Sequence, residues 1–351
     1  MIAAESYSLQ DEIIAAATVL REGGVVAFPT ETVYGLGAEI SNSSAVRRVF
    51  EIKKRPADHP LIVHFAGASR LNHWAREVPE QALRLAELLW PGPLTLILPR
   101  SRHVPANVTG GQDTVGLRVP DHPVALALLH ELGPERAVAA PSANRFGRIS
   151  PTTAAHVRAE LGDAVDMILD GGPCRIGLES TIVGFEGKTP VILRPGAIPM
   201  EELAEILGEA VVMPPPLART VRVPGALASH YAPATPLELW RSELLWQRAL
   251  ELEAGGSRVA VVTWSLKNRS QRGGAKNKNV VHFSMPAESV SYGRQLYASL
   301  RQLDSERLDR LLVEIPPAGS AWAAIADRLR RASGTPSEEL QSGAGIALQA
   351  R

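Results

Sequence analysis

The sequence predicts an α/β protein of two domains, the larger built on a sheet of mixed strand direction and the smaller on a parallel sheet. Three observations lead there. Short apolar runs of strand character alternate with amphipathic helical runs along most of the 351 residues, the pattern of layered α/β folds. In the first part of the chain, several strand-like runs are separated by too little sequence for a helical crossover, so some neighbours must run antiparallel. A proline-rich stretch over residues 209–236 interrupts the pattern, and strand and helix then alternate regularly again.

Taken in order, residues 9–21 have helical spacing and are stopped by Gly23-Gly24. Strand-like runs are expected at 25–28, 61–65, 94–98, 115–119, 137–140, 167–169, 181–185 and 191–193. Helical runs are expected at 44–54, 79–90, 124–131, 153–161 and 200–207. Pro56 ends the second of these six helices, because proline disfavours helix at the residue before it. These elements make a first domain over 1–208, complete before Pro214. Pro214-Pro215-Pro216, Pro224-Gly225, Pro233 and Pro236 then impose an extended linker over 209–236. A second domain over 237–351 has strand character at 237–240, 258–264, 280–283 and 311–315, with helices at 242–253, 288–303 and 321–331. Strict alternation of this kind predicts a small parallel sheet flanked by helices. No Gly-x-Gly-x-x-Gly turn opens it, so its shape does not imply a dinucleotide.

Composition narrows the function classes. Lys plus Arg and Asp plus Glu are equal at 37 each, which argues against a surface devoted to nucleic acid. One cysteine, Cys174, precludes an intramolecular disulfide and suits a reducing, cytoplasmic setting. Glu5, Asp11 and Glu12, without a basic leading segment, are not the pattern of a signal peptide. No apolar run approaches the roughly 18 residues of a membrane span, so no membrane partner is expected. No internal repeat or metal-ligand cluster stands out. A stretch with five basic and no acidic residues, Lys267 to Lys278, suits either an RNA-phosphate contact or a solvated loop; charge runs favour the second.

Three segments carry the polar groups of a site. In FPTETVYGLG (28–37), two threonines, a glutamate and a tyrosine crowd the end of a strand, where ligands sit in open α/β sheets; a polar strand-to-helix turn is the plain alternative. In KKRPADHPLIVH (53–64), a basic triplet at a helix end runs through two prolines into a buried strand. That suits an anion, although charge there also compensates the helix dipole. In AAPSAN (139–144), Ser142 and Asn144 can aim a hydroxyl and an amide at one ligand.

Together with WPGPLTLIL (90–98), DTVGLRVPDHP (113–123), GLESTIV (177–183) and VILRPG (191–196), these segments resemble the YrdC-type threonylcarbamoyl-AMP synthases over roughly the first 200 residues. The remainder, with Ser229-His230-Tyr231-Ala232-Pro233, resembles the extra domain of the long members. The resemblance implies a YrdC-like twisted mixed sheet followed by a smaller Rossmann-like domain. It implies a nucleotidyltransferase that joins L-threonine, hydrogen carbonate and ATP, with magnesium. The products would be threonylcarbamoyl-AMP and pyrophosphate, the former for transferase proteins that modify the tRNA adenosine beside the anticodon. It places threonine against Thr32, His64, Arg118, Ala140 and Ser180. It places ATP against Arg55, His59, Thr114, Ser142, Asn144, Ser150, Arg194 and Tyr231. Lys53, Arg55, Ser142 and Asn144 form the family's catalytic tetrad; metal ligands are not specified. The linker becomes a lid whose Tyr231 reaches the nucleotide.

The residues agree with a reaction of positioning and charge screening, needing no nucleophile. Arg118 can pair bidentately with a carboxylate; a surface ion pair is its alternative. His64 alternates with apolar neighbours and equally suits a satisfied core histidine. Two departures stand out: Ala226, Leu227, Ala228 and Ser229 occupy positions where some long members carry lysines, and His59 stands where asparagine is frequent. An RNA-binding module would need a basic cleft but not Thr32, Ala140 or Ser180. The carbamoyl-transfer domain of hydrogenase-maturation proteins would bring paired cysteines, which a single Cys174 rules out.

Overall fold

The computed structural model describes residues 8–214, 221–225, 230–265 and 279–334. Two compact units emerge, Met1–Phe146 with Ser150–Ala226, and Gly147–Ile149 with Leu227–Arg351.

The first unit is a nine-stranded mixed sheet. Its strands are β1 (Val26–Phe28), β2 (Gly35–Glu39), β3 (Ile62–His64), β4 (Leu94–Pro99), β5 (Thr114–Arg118), β6 (Val138–Ala139), β7 (Met167–Ile168), β8 (Thr181–Glu186) and β9 (Thr189–Arg194). They lie in the order β7-β1-β2-β6-β3-β5-β4-β8-β9. β1 with β7, β3 with β5, and β4 with β8 are parallel; the other neighbours are antiparallel. The helices are α1 (Leu9–Arg21), α2 (Ser43–Lys53), α3 (Leu71–Trp74), α4 (Glu80–Leu89), α5 (Pro123–Leu132), α6 (Ala154–Leu161) and α7 (Met200–Leu207). Ser8 starts α1 through a capping box with Asp11.

The polar segment 30–34 is not a strand-to-helix turn. It joins β1 to an antiparallel partner, with Ala27 opposite Leu36. Gly35 and Gly37 are strand positions that admit close neighbours. A Cβ on Gly37 would lie 2.5 Å from Val138 Cγ1 and 2.8 Å from Phe28 Cε1.

Strand alternation sorts the side chains onto two faces. Val25, Ala27, Val63, Leu94, Leu96, Leu98 and Leu117 join residues of α2, α4, α6 and α7 in the main core. On the opposite face, Val26, Phe28, Val138 and Ala140 pack against α1 and α5. Further along that face, Ile97, Ile182, Val191 and Leu193 are covered by Val223. The alternation places His64, Gly116, Arg118 and Thr95 on this same face, between the two helices and the cover. The first domain is therefore not complete before Pro214: Val223 is buried, and Arg222 binds Gln112, Gly110 and Asp58.

The second unit carries β10 (Leu237–Trp240), β11 (Val259–Thr263), β12 (Val280–Ser284) and β13 (Arg310–Glu314), all parallel in the order β10-β13-β11-β12. Helices at Ser242–Ala254, Ser289–Asp304 and Ser320–Ser333 accompany them, as the alternation predicts. The basic stretch 267–278 lies outside the described residues. No helix among the described residues is long and apolar enough to cross a membrane.

Candidate active site

The site assembles because three strand ends converge. Parallel pairing sets His64 of β3 directly beside Arg118 of β5, and antiparallel pairing sets His64 beside Val138 of β6. The loop after β1 brings Thr32 to them: Arg118 Nη2 donates to Thr32 Oγ1 at 2.8 Å, and Nε donates to Gly92 O at 3.3 Å. Arg118 is no surface ion pair. It is buried, and its Nη2 lies 2.7 Å from Oε1 of Glu31, whose side chain is wholly buried.

His64 is buried with its ring edge-on to Phe28 and its Nδ1 3.2 Å from Ile62 O. Burial, and then the Arg118 guanidinium, pull its pKa down to about 3. The imidazole is therefore neutral near pH 7. Ala140 follows β6 and is held by its N–H on Ile62 O at 2.9 Å. Ser180 is bridged: its hydroxyl lies 2.7 Å from Thr95 Oγ1, and Arg194 Nη2 donates to its carbonyl at 2.8 Å and its hydroxyl at 3.1 Å. Arg194 Nη1 also donates to Pro224 O at 2.9 Å, tying the covering segment to this group.

The basic and amide residues gather at the opposite end of β3. Lys53 closes α2 but does not face solvent as a helix-end charge would. It is buried, and Nζ donates to the carbonyls of Ser142 and Asn144, each at 2.5 Å. Burial, and then Arg55, hold its pKa well below the usual lysine range. The two Nζ hydrogen bonds brace the loop that presents Ser142 and Asn144. Arg55 donates to Pro60 O at 2.9 Å, and its guanidinium lies 5.7 Å from the Phe146 ring centre. His59 packs edge-on to the same ring at 5.3 Å. Ser150 is buried and donates to Glu179 Oε1 at 2.6 Å.

Of the remaining expected residues, one lies away from Arg118 along its strand and one belongs to the other unit. Thr114 opens β5 and Arg118 closes it, so they mark opposite ends of one strand. Thr114 lines a cavity of about 280 Å³ with Ile97, Pro99, Leu193 and Val221. Tyr231 belongs to the second unit. It is buried with a positive φ of 63°, stacks on Tyr297 at 5.8 Å, and has the Arg328 guanidinium 5.1 Å from its ring centre.

Glu31, Thr95 and Glu179 also belong to the site and carry no role in the sequence reading. Glu31 and Glu179 lie inside the segments 28–37 and 177–183, each beside an assigned residue. For these two, a lone acid within an otherwise uncharged motif was the available signal.

Comparison with known proteins gives the chain's family. Residues 18–196 match the family model for Sua5, YciO and YrdC proteins, described as "Telomere recombination". Residues 198–334 match the model described as "Threonylcarbamoyl-AMP synthase, C-terminal domain". A threonylcarbamoyl-AMP synthase from Pyrococcus abyssi is 41% identical over 91% of this chain and 93% of its own. This chain belongs to the YrdC-type threonylcarbamoyl-AMP synthase family. A synthase of that name from Bacillus subtilis is 40% identical over 92% of this chain and 93% of its own. The crystal structure of P. abyssi Sua5 complexed with L-threonine superposes with a TM-score of 0.82 at 39% identity, covering 94% of this chain and 96% of that one. A double variant of the same archaeal protein, with a histidine and a tyrosine changed to alanine, matches equally well at 0.82 and 38% identity, over 95% of each chain. The two matched segments follow one another as in the long, two-domain form of the family.

Proposed function

We propose that this chain synthesises threonylcarbamoyl-AMP from L-threonine, hydrogen carbonate and ATP, releasing pyrophosphate and water. The observation that supports it best is the buried Arg118 beside neutral His64 and Thr32, at adjoining strand ends, in a chain whose full-length relatives carry that name.

In this reading Arg118 receives the amino-acid carboxylate, with Thr32, His64, Ala140 and Ser180 around it. The threonine amine combines with hydrogen carbonate, losing water, to give a carbamate. A carbamate oxygen then attacks the α-phosphorus of ATP, and pyrophosphate departs. The chain's own contribution is alignment and charge. Arg55 and Arg194 neutralise phosphate oxygens, Ser142 and Asn144 hydrogen-bond the nucleotide from the loop braced by Lys53, and Thr114, His59 and Ser150 border it. With its low pKa, His64 offers a neutral acceptor or donor rather than a cation.

Magnesium would travel with the ATP phosphates and screen their charge. The mixed anhydride then passes to transferase proteins acting on tRNA, in the cytoplasm. Tyr231 is expected to reach the nucleotide from the 209–236 linker, and this is the lid role that suits a hydrolysable product.

The experiment is pyrophosphate release from ATP with threonine and hydrogen carbonate omitted in turn. Release should need both. Equal release with serine, or without hydrogen carbonate, removes the assigned reaction.

A further inference from the structure

Glu31 is the most unusual charged group in the first unit. Its side chain is wholly buried, and the Arg118 guanidinium lies 2.7 Å from Oε1. Yet neither carboxylate oxygen has an aligned hydrogen-bond donor among the described residues. A buried carboxylate is costly unless it is both paired and hydrogen-bonded, and an unsatisfied buried polar atom in a site signals a missing partner. Arg118 itself commits Nε to Gly92 and Nη2 to Thr32 and Glu31.

A free amino acid is a zwitterion. Taking it out of water strips both ends at once, so each end needs its own counter-charge. A side-by-side guanidinium and carboxylate, together neutral, complement that ligand. The carboxylate of the ligand meets the arginine, and its ammonium meets the glutamate. Building on the proposed reaction, in which the ligand is threonine, we propose that Glu31 is the acceptor for the substrate's α-ammonium and sets the site's preference for an amino acid over a hydroxy acid. The ammonium N–H groups supply the aligned donors that the two oxygens lack. Charge-assisted bonds of this kind are the strong ones.

The test is calorimetric binding, without turnover, to the full chain. The two ligands are L-threonine and the hydroxy acid in which a hydroxyl replaces the α-ammonium. The wild-type protein should prefer threonine by about tenfold or more. Glu31→Gln keeps the volume and removes the charge. It should weaken threonine by about tenfold or more and leave the hydroxy acid unchanged or tighter, so that the preference collapses. Three results overturn the proposal. Equal weakening of both ligands would mean that Glu31 only props Arg118. Threonine binding unchanged or tightened would mean that Glu31 competes with the substrate carboxylate. A wild-type protein indifferent between the two ligands would refute the proposal even if the variant failed to fold. A wild-type protein that binds no threonine at all would instead sink the proposed reaction, which keeps the two failures distinct.

Discussion

Arg118→Lys isolates geometry from charge. In the native site, Nη2 lies 2.7 Å from Glu31 and 2.8 Å from Thr32 Oγ1, while Nε reaches Gly92 O at 3.3 Å. A guanidinium holds these partners and still has the N–H groups of Nη1 to offer a carboxylate; a single ammonium cannot do both. Losing one charge-assisted hydrogen bond to the substrate costs about 1.5–3 kcal/mol, roughly a tenfold to hundredfold loss of threonine affinity. Lysine keeps a counter-charge for Glu31, so the fold should survive. Arg118→Met is the contrasting change. It strands the buried Glu31 carboxylate and should destabilise the first unit by about 3–5 kcal/mol. Calorimetry with threonine and with a non-hydrolysable ATP analogue separates the effects: in Arg118→Lys the threonine affinity falls and the nucleotide affinity stays within about threefold. If a folded Arg118→Lys binds threonine as tightly as the native protein, Arg118 does not hold the carboxylate.

Other consequences are open to measurement. The His64 pKa falls from 6.5 to about 3 on folding, so the unfolded chain binds more protons between those values. Stability from this group is complete above the unfolded pKa and is lost as pH falls toward the folded one. Denaturant titrations of the native protein should show about 2 kcal/mol of loss between about pH 7 and about pH 5 from this source, an increment that vanishes in His64→Gln; an identical pH dependence in the variant would refute it. Ending the chain near Gly208 removes the buried Val211 and Val223, so that fragment should be about 3 kcal/mol less stable than one ending at Ala226. Equal urea midpoints would mean that the covering segment packs without effect. Tyr231→Ala should slow threonylcarbamoyl-AMP formation and raise free AMP, while replacing Lys267, Arg269, Arg272, Lys276 and Lys278 together leaves synthesis intact; unchanged product and AMP in Tyr231→Ala would reduce the linker to a tether.

Local chemistry was enough to read most elements from the sequence. The helices Leu9–Arg21 and Met200–Leu207 and the strand Leu237–Trp240 fall where periodicity, caps and glycine stops place them, because those signals act within a few residues. The motif residues were legible for a similar reason: threonines, a basic triplet and a Ser-x-Asn pair are conspicuous against apolar strands. What the sequence could not determine is anything set by partners far along the chain. The plain alternative for the polar segment 28–37 was a strand-to-helix turn, and only the pairing of Gly35–Glu39 back against β1 shows that a strand follows it. Lys53 reads as a helix-end charge, and only the return of the 142–144 loop converts it into a buried brace. Glu31 reads as one polar residue among several. Its burial against Arg118 follows from the sheet order, which carries β5 next to β3 and brings the β1–β2 loop over both strand ends. Side-chain type sets what a residue can do, but the desolvation that perturbs His64 and Lys53, and the burial that demands a counter-ion for Glu31, exist only once the tertiary fold excludes water.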